Sequence, residues 1–339
     1  MKGKLFKLIA MASVVGLFAT QPVTAGENEV VIGFAPSAYD TTDYFGQFDT
    51  AMREVLEKEG ITFKVKGRAP LTPGDVRGHM GIVEDFITIG VDYIIFGPLD
   101  PIATIPVIRL ANEAGIPLII MNRLEPLPDD AGVEVMTYTG YSHRVGGEIL
   151  GQWALDNLLK AGDEAAIIYG NVGHAVSNDR GFPAKEIWEK AGVKVVFEQN
   201  TNWLSTAAYD VTERVLVTYP NIKLIYGVSS SIAMGAAEAV AAAGLKGKVD
   251  VLGFGSITPE IDMIWEGLIR GSIFRDAASN GRQAAAAIIL REQGKPVPKS
   301  YGMDLVMVGS RDEILDAIPV AQLKPTKNWP EMEKALAAR

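Results

Sequence analysis

The sequence predicts an α/β protein of two doubly wound, parallel-sheet lobes. Three observations carry that expectation: a recurring helix–glycine–strand unit, about eleven short apolar strand segments, and helices of 3.6-residue period between them. The unit appears as EKEGITFKV (58–65), TIGVDYIIF (88–96), NEAGIPLIIM (112–121) and EKAGVKVVF (189–197). In each, glycine supplies the left-handed residue that closes a helix, and a β-branched run too uniformly apolar for an exposed hairpin follows at once. Helix then buried strand, repeated, means parallel sheets with right-handed crossovers.

Taken in order, strands are expected near 30–35, 61–66, 91–96, 116–121, 134–139, 165–170, 193–198, 222–227, 249–254, 271–275 and 304–308. Eleven parallel strands exceed one sheet of usual size, so two sheets are the simpler account. Between them, Phe48, Met52, Val55 and Leu56 share one helical face, as do Val145, Ile149 and Trp153. No Pro/Gly/Ser-rich linker separates the lobes. The expected crossings lie near Tyr138–Gly140, near Arg275–Asp276 and after KPVPKSYGMDL (295–305), so lobe 1 spans 26–139 plus 276–305 and lobe 2 spans 140–275 plus 306–339. Three short crossings suit a hinge.

The first 25 residues read as an export signal. Lys2, Lys4 and Lys7 precede the apolar run Leu8–Thr20, and Val23-Thr24-Ala25 offers small residues for cleavage after Ala25. The run is too short to span a bilayer. The mature chain is expected in the periplasm, and the lack of cysteine at the cleavage site argues against a lipid anchor. No cysteine occurs anywhere in the 339 residues, which rules out disulfides, thiolate metal cages and a cysteine nucleophile. The formal charge of −9 comes from 32 basic and 41 acidic residues. Removing the three signal lysines leaves 29 basic residues and about −12. Such acidity gives no electrostatic footprint for nucleic acid.

Catalytic motifs are scarce. His79, His143 and His174 are not at metal-ligand spacing, and no HExxH, GxSxG, GxxxxGK[ST] or GxGxxG occurs. No cofactor, no metal and no enzymatic activity is expected. The histidines read as solvated or core-satisfied, with His143 near a helix start after the hinge.

The informative residues stand just after strands, where ligands bind in open parallel sheets. Asp40, Thr42, Tyr44 and Phe45 follow the first strand, Asn122 and Arg123 the fourth, and Arg180, Ser229, Ser231 and Arg275 stand at later strand ends. Amide and guanidinium forks beside aromatic faces suit a polyhydroxylated ligand. Each residue also admits a plainer role. Tyr44 and Phe45 can pack the start of a helix, Arg180 can pair with Asp179 at the surface, Asn122 and Arg123 can cap a turn, and Phe254, which with Gly255 after the ninth strand is placed in the cleft, can instead pack within the sheet.

The stretches TDYFGQF (42–48), GIPLIIMNR (115–123), YTGYSHRVGGEILG (138–151), SNDRG (177–181), YPNIKLIYGVSSSIAMGA (219–236), VLGFGS (251–256), GLIRGSIFR (267–275) and GKPVP (294–298) resemble, in order and spacing, the ribose-binding-type periplasmic solute-binding proteins of sugar ABC transporters. Within them the chain is most similar to the autoinducer-2-binding branch. The resemblance implies the type I periplasmic binding protein fold, two lobes on three hinge strands closing over a ligand. It places Tyr44 and Phe45 as first-lobe aromatics with Thr42 and Asp40 beside them, Asn122 and Arg123 as contacts to ligand oxygens, Arg180 as the second-lobe arginine, and Trp203 near a stacking aromatic, between lobe packing and pocket wall. Ser229 falls on an asparagine of ribose binders, and Arg275 on an arginine of the autoinducer branch. Gly255 stands where ribose binders carry an aspartate and Ser231 where the autoinducer branch does. Carboxylate acceptors are thus lost and three arginines retained, so either solvent and an inward-pointing Asp40 compensate them or the ligand brings negative charge. The implied function is a monomeric receptor delivering a sugar, polyol, sugar acid or autoinducer-2-like furanose to an inner-membrane permease. A sensory role toward a histidine kinase or chemoreceptor, and an exported sugar-modifying enzyme, are the alternatives.

Overall fold

The computed structural model describes residues 29–38, 44–72, 74–255 and 257–339. The signal segment 1–25, with its cleavage point, and Asp40 and Thr42 lie outside the described residues.

The first sheet is built from β1 (Val30–Ala35), β2 (Phe63–Gly67), β3 (Tyr93–Phe96), β4 (Leu118–Met121) and β5 (Thr137–Gly140), interleaved with α1 (Tyr44–Lys58), α2 (Val76–Thr88) and α3 (Ile105–Glu113). The chain then passes into α4 (His143–Asn157), β6 (Glu164–Tyr169), α5 (Ala175–Lys190), β7 (Lys194–Asn200), α6 (Ser205–Thr218), β8 (Ile222–Gly227), α7 (Ser230–Ala242), β9 (Asp250–Gly255), α8 (Thr258–Trp265) and β10 (Gly271–Phe274). It returns through α9 (Ala277–Glu292) and β11 (Ser300–Gly302), and leaves again through β12 (Val306–Val308), α10 (Arg311–Ala317), α11 (Val320–Leu323) and α12 (Trp329–Ala337). The sheets are six-stranded, in the orders β11-β5-β4-β3-β1-β2 and β12-β10-β9-β8-β6-β7. Both are doubly wound with the same internal order, and the chain crosses between them three times.

The expected single strand at 304–308 is in fact two. β11 pairs parallel with β5, whereas β12 pairs antiparallel with β10. Only residues 303–305 separate them, so one extended segment finishes the first sheet and begins the second. Running out of one lobe into the other, it meets the second sheet head to tail. The segments 61–66 and 134–139 pair from Phe63 and Thr137 onward, because the preceding residues complete the incoming turns.

Burial follows the strand pattern. Ile32 and Phe34 of β1, Ile94 and Ile95 of β3, Ile119 and Ile120 of β4, and Ile167, Ile168, Leu224 and Ile225 in the second sheet are buried, as expected for strands covered on both faces. Phe48, Met52 and Leu56 bury one face of α1, with Val55 at its margin.

The stripe expected on α4 is half right: Ile149 and Trp153 pack against the core, but they flank a more deeply buried face. Val145 is exposed, and Gly146, Gly147, Leu150, Gly151 and Ala154 face inward. Helix backbones are drawn together there: a Cβ on Gly147 would strike the Arg180 carbonyl, and one on Gly151 would lie 2.8 Å from Ala184 Cα. The same device joins α6 to α7, where Gly235 abuts the Ser205 carbonyl, and α1 to α9, where Gly281 abuts the Phe48 carbonyl. An apolar-periodicity argument overlooks glycine, which contributes by letting backbones approach. Gly281→Val should therefore overpack the α1–α9 seam by about 1–3 kcal/mol, lowering Tm by roughly 3–10 °C in calorimetry of the purified protein.

Candidate functional site

The C-terminal edges of the two sheets face one another around a cavity of about 440 Å³. Its walls come from the turns after β1 (Ser37), β3 (Gly97, Pro98) and β4 (Asn122, Arg123) on one side. The turns after β6 (His174), β7 (Trp203), β8 (Ser229, Ser231) and β10 (Arg275), together with Arg180 of α5, supply the other. At the rim the lobes meet where Gly74, in a left-handed conformation, abuts the Asn171 side chain. A hollow of about 640 Å³ between α1, α8 and α11 is larger, but among the described residues Glu54 and Arg282 are its only charged lining groups. Convergent polar chemistry singles out the inter-lobe cavity.

Of the residues singled out from sequence, Tyr44, Phe45, Asn122, Arg123, Arg180, Trp203, Ser229, Ser231 and Arg275 all line this cavity. Phe254 and Gly255 do not, which corrects their placement in the cleft. Phe254 is fully buried and forms the floor under Arg180, whose guanidinium carbon lies 4.4 Å from its ring centre. Gly255 is closed off because Ser230 and the Arg275 guanidinium occupy the space where its side chain would project.

The local conformations are demanding. Asn122 (φ 61°) and Trp203 (φ 65°) both lie in the left-handed region. Asn tolerates this better than most residues, and Trp does not, so tertiary contacts must hold Trp203 there. Those contacts are visible: Ser231 Oγ donates to the Trp203 carbonyl at 2.9 Å, and the His174 ring packs edge-on to the indole at 5.3 Å. Gly140 (φ 132°) ends β5 against the Asn122–Arg123 turn, where a Cβ would lie 2.7 Å from Arg123 N, so only glycine permits that turn.

A buried relay links the two halves. His143 Nε2–H donates to the Asn122 carbonyl at 2.8 Å, leaving Nδ1 to accept from Arg180 Nε at 3.2 Å. Arg180 Nη1 donates to the Val228 carbonyl at 2.9 Å. Burial, followed by the neighbouring arginines, holds His143 well below its usual pKa, so the ring stays neutral and can accept from a cation. Burial also lowers Arg180 to about 10, which leaves it charged at neutral pH. Alongside, Arg275 Nη1 donates to Tyr141 Oη at 2.6 Å, Tyr141 donates to Asn122 Oδ1 at 2.6 Å, and Arg275 lies over the Tyr44 ring at 4.3 Å. Asn280 of α9 donates to Tyr44 Oη at 2.7 Å.

Sequence reasoning missed Tyr141, His143, His174, Asn280 and Glu260, the last buried and accepting from Ser230 Oγ at 2.6 Å. Their partners are remote in the chain, and only the Tyr-Ser-His run after a strand hinted at two of them. Arg180 pairs with neutral acceptors and forms no ion pair with Asp179. Among the described residues no group of three or more His, Asp or Glu is placed to hold a metal ion.

This arrangement, a cleft at facing sheet edges with aromatic walls and guanidinium forks, defines a ligand-binding receptor of two lobes. The family comparison gives the same class. The periplasmic binding protein domain matches residues 32–296, and the chain belongs to that family. A D-ribose/D-allose-binding protein of Pseudomonas aeruginosa is 32% identical, over 70% of this chain and 74% of its own length. The D-allose-binding periplasmic protein of Escherichia coli is 29% identical over 76% of this chain and 85% of its own. A periplasmic solute-binding protein of Actinobacillus succinogenes, solved with D-allose, superposes with a TM-score of 0.73 at 26% identity, covering 84% of this chain and 98% of that one.

The buried histidines set an acid limit. Burial pushes His79 and His174 down to about 4, and His143 well down, while in the unfolded chain all three titrate near 6.5. Between these values the unfolded chain binds protons that the native state refuses, so stability falls as pH drops from about 6.5 toward 4. Burial raises Asp179 and Asp250, which opposes the trend at its acid end. Tm should be lower at pH 5 than at pH 7.5, and His79→Gln, which can still donate to the Ala35 carbonyl as His79 does at 3.1 Å, should flatten that dependence.

Proposed function

We propose that this chain is a periplasmic solute-binding receptor that closes on a small polyhydroxylated ligand in the inter-lobe cavity and delivers it to an ABC transporter permease. The carrying observation is the cavity itself, where Asn122 and Arg123 of one sheet face Arg180, Trp203 and Ser231 of the other. Forked donors suit vicinal hydroxyls, and Tyr44, Phe45 and Trp203 offer faces for sugar C–H groups. The ribose- and allose-binding relatives support a sugar or polyol, with an autoinducer-2-like furanose in the same class. Contacts from both lobes reward closure, so ligand shifts the open–closed balance and the permease reads the closed surface. In this reading the protein is exported by its N-terminal segment, acts as a monomer and carries out no chemistry on its ligand.

A thermal-shift series of pentoses, hexoses, polyols and aldonates tests the reading, because a ligand that binds only the native state raises Tm. At least one should do so. In Arg180→Ala and Trp203→Ala that ligand should bind about 30-fold more weakly or worse, the loss expected for one charge-assisted hydrogen bond or comparable packing. Wild-type affinity in both folded variants would place the ligand elsewhere.

A further inference from the structure

The inter-lobe cavity is unbalanced in charge and in hydrogen-bond donors. Arg123, Arg180 and Arg275 line it, and among the described residues no carboxylate does. Carboxyls stand behind the wall: Glu125, 3.9 Å from Arg123 Nη2 with neither oxygen hydrogen-bonded, Glu260, buried against Ser230, and Asp179, Asp100 and Asp276, which act electrostatically on Arg180, His174 and Tyr44. Arg180, only 4% exposed, and Arg275 direct their hydrogen bonds to neutral partners, the His143 ring, the Val228 carbonyl and the Tyr141 hydroxyl. Desolvating a guanidinium without a counter-charge is expensive.

Acceptors are scarce as well. Each guanidinium carries five N–H donors and no acceptor. Arg123 Nη1 and Arg275 Nε are buried with no partner, which marks a wall richer in donors than it can satisfy. Of the wall's side-chain acceptors, Asn122 Oδ1 takes the Tyr141 hydroxyl and the Ser229 and Ser231 hydroxyls lie 3.1 Å apart in mutual contact, while the neutral His174 ring keeps one unpartnered acceptor nitrogen. A ligand made only of hydroxyls brings a donor with every acceptor. A carboxylate brings acceptors alone and fits a guanidinium fork with two parallel bonds.

We infer that the ligand of this cavity carries a carboxylate, so that the site selects a small sugar acid over the neutral sugar of the same carbon skeleton. The inference rests on the cavity being the ligand site, as proposed above, and deepens that reading by giving the ligand's charge.

Isothermal titration at pH 7.5 with matched pairs decides it: D-ribose against D-ribonate, D-glucose against D-gluconate, and D-galactose against D-galacturonate. At least one acid should bind tenfold or more tighter than its neutral partner. Arg275→Gln and, independently, Arg123→Gln should cut that ratio at least tenfold while the circular dichroism spectrum stays native. Tight binding of a neutral sugar with the acids inert overturns the carboxylate inference and leaves the receptor reading standing. So does an acid preference that neither variant alters, since the arginines would then not be its source. A folded protein that binds no member of either series overturns both.

Discussion

Much of the structure is organised around keeping one guanidinium, that of Arg180, charged and dry between two lobes. Its nearest nitrogen partner is a histidine, which accepts only while it is neutral. Burial keeps His143 neutral, and the Asn122 carbonyl fixes its tautomer by taking the Nε2 proton. The relay therefore joins the turn after β4, the first residue of α4, a residue within α5 and the strand end of β8. Loss of any member leaves a buried polar group without its partner, a cost of about 1–3 kcal/mol or more for a charged one.

Helix packing supplies the geometry that this relay needs. Gly147 lets α4 settle onto the Arg180 carbonyl, and Gly146 lets it settle onto Phe254, so α4, α5 and β9 converge directly beneath the guanidinium. Phe254 then offers its ring face to the cation, a contact worth about 2 kcal/mol when desolvated. On the opposite side, the α1–α9 seam brings Asn280 to Tyr44, whose ring carries Arg275. Arg180 and Arg275 are thus each propped from behind by a helix pair that glycine has brought close.

The doubly wound order explains why the cavity lies where it does. In both sheets the strand order reverses at the first strand of the lobe, so the following turns splay apart and leave a crevice at the carboxyl edge. Facing the two crevices across three chain crossings makes one deeper cleft from two shallow ones. The β11–β12 segment contributes to both sheets, parallel in one and antiparallel in the other, which ties lobe orientation to backbone hydrogen bonds.

The fold was largely legible in the chain, because strand and helix formation answer to local signals: glycine closing a helix, β-branched runs, and the period of Phe48, Met52 and Leu56. Most of the cavity wall was legible too, since polar and aromatic residues directly after strands have one place to go in a parallel sheet. What the chain could not show depended on partners far apart in sequence. Tyr141 meets Arg275 across 134 positions and Tyr44 meets Asn280 across 236. The deepest face of α4 escaped notice because three glycines, which carry no apolar signal, lie along it, while Ile149 and Trp153 pack beside them. By itself, then, the sequence determined the layers of this protein and which turns face its cavity. Only the tertiary structure decided which groups stand behind those turns, and hence that Arg180 and Arg275 are propped by neutral partners, because desolvation and hydrogen-bond pairing are properties of the assembled interior.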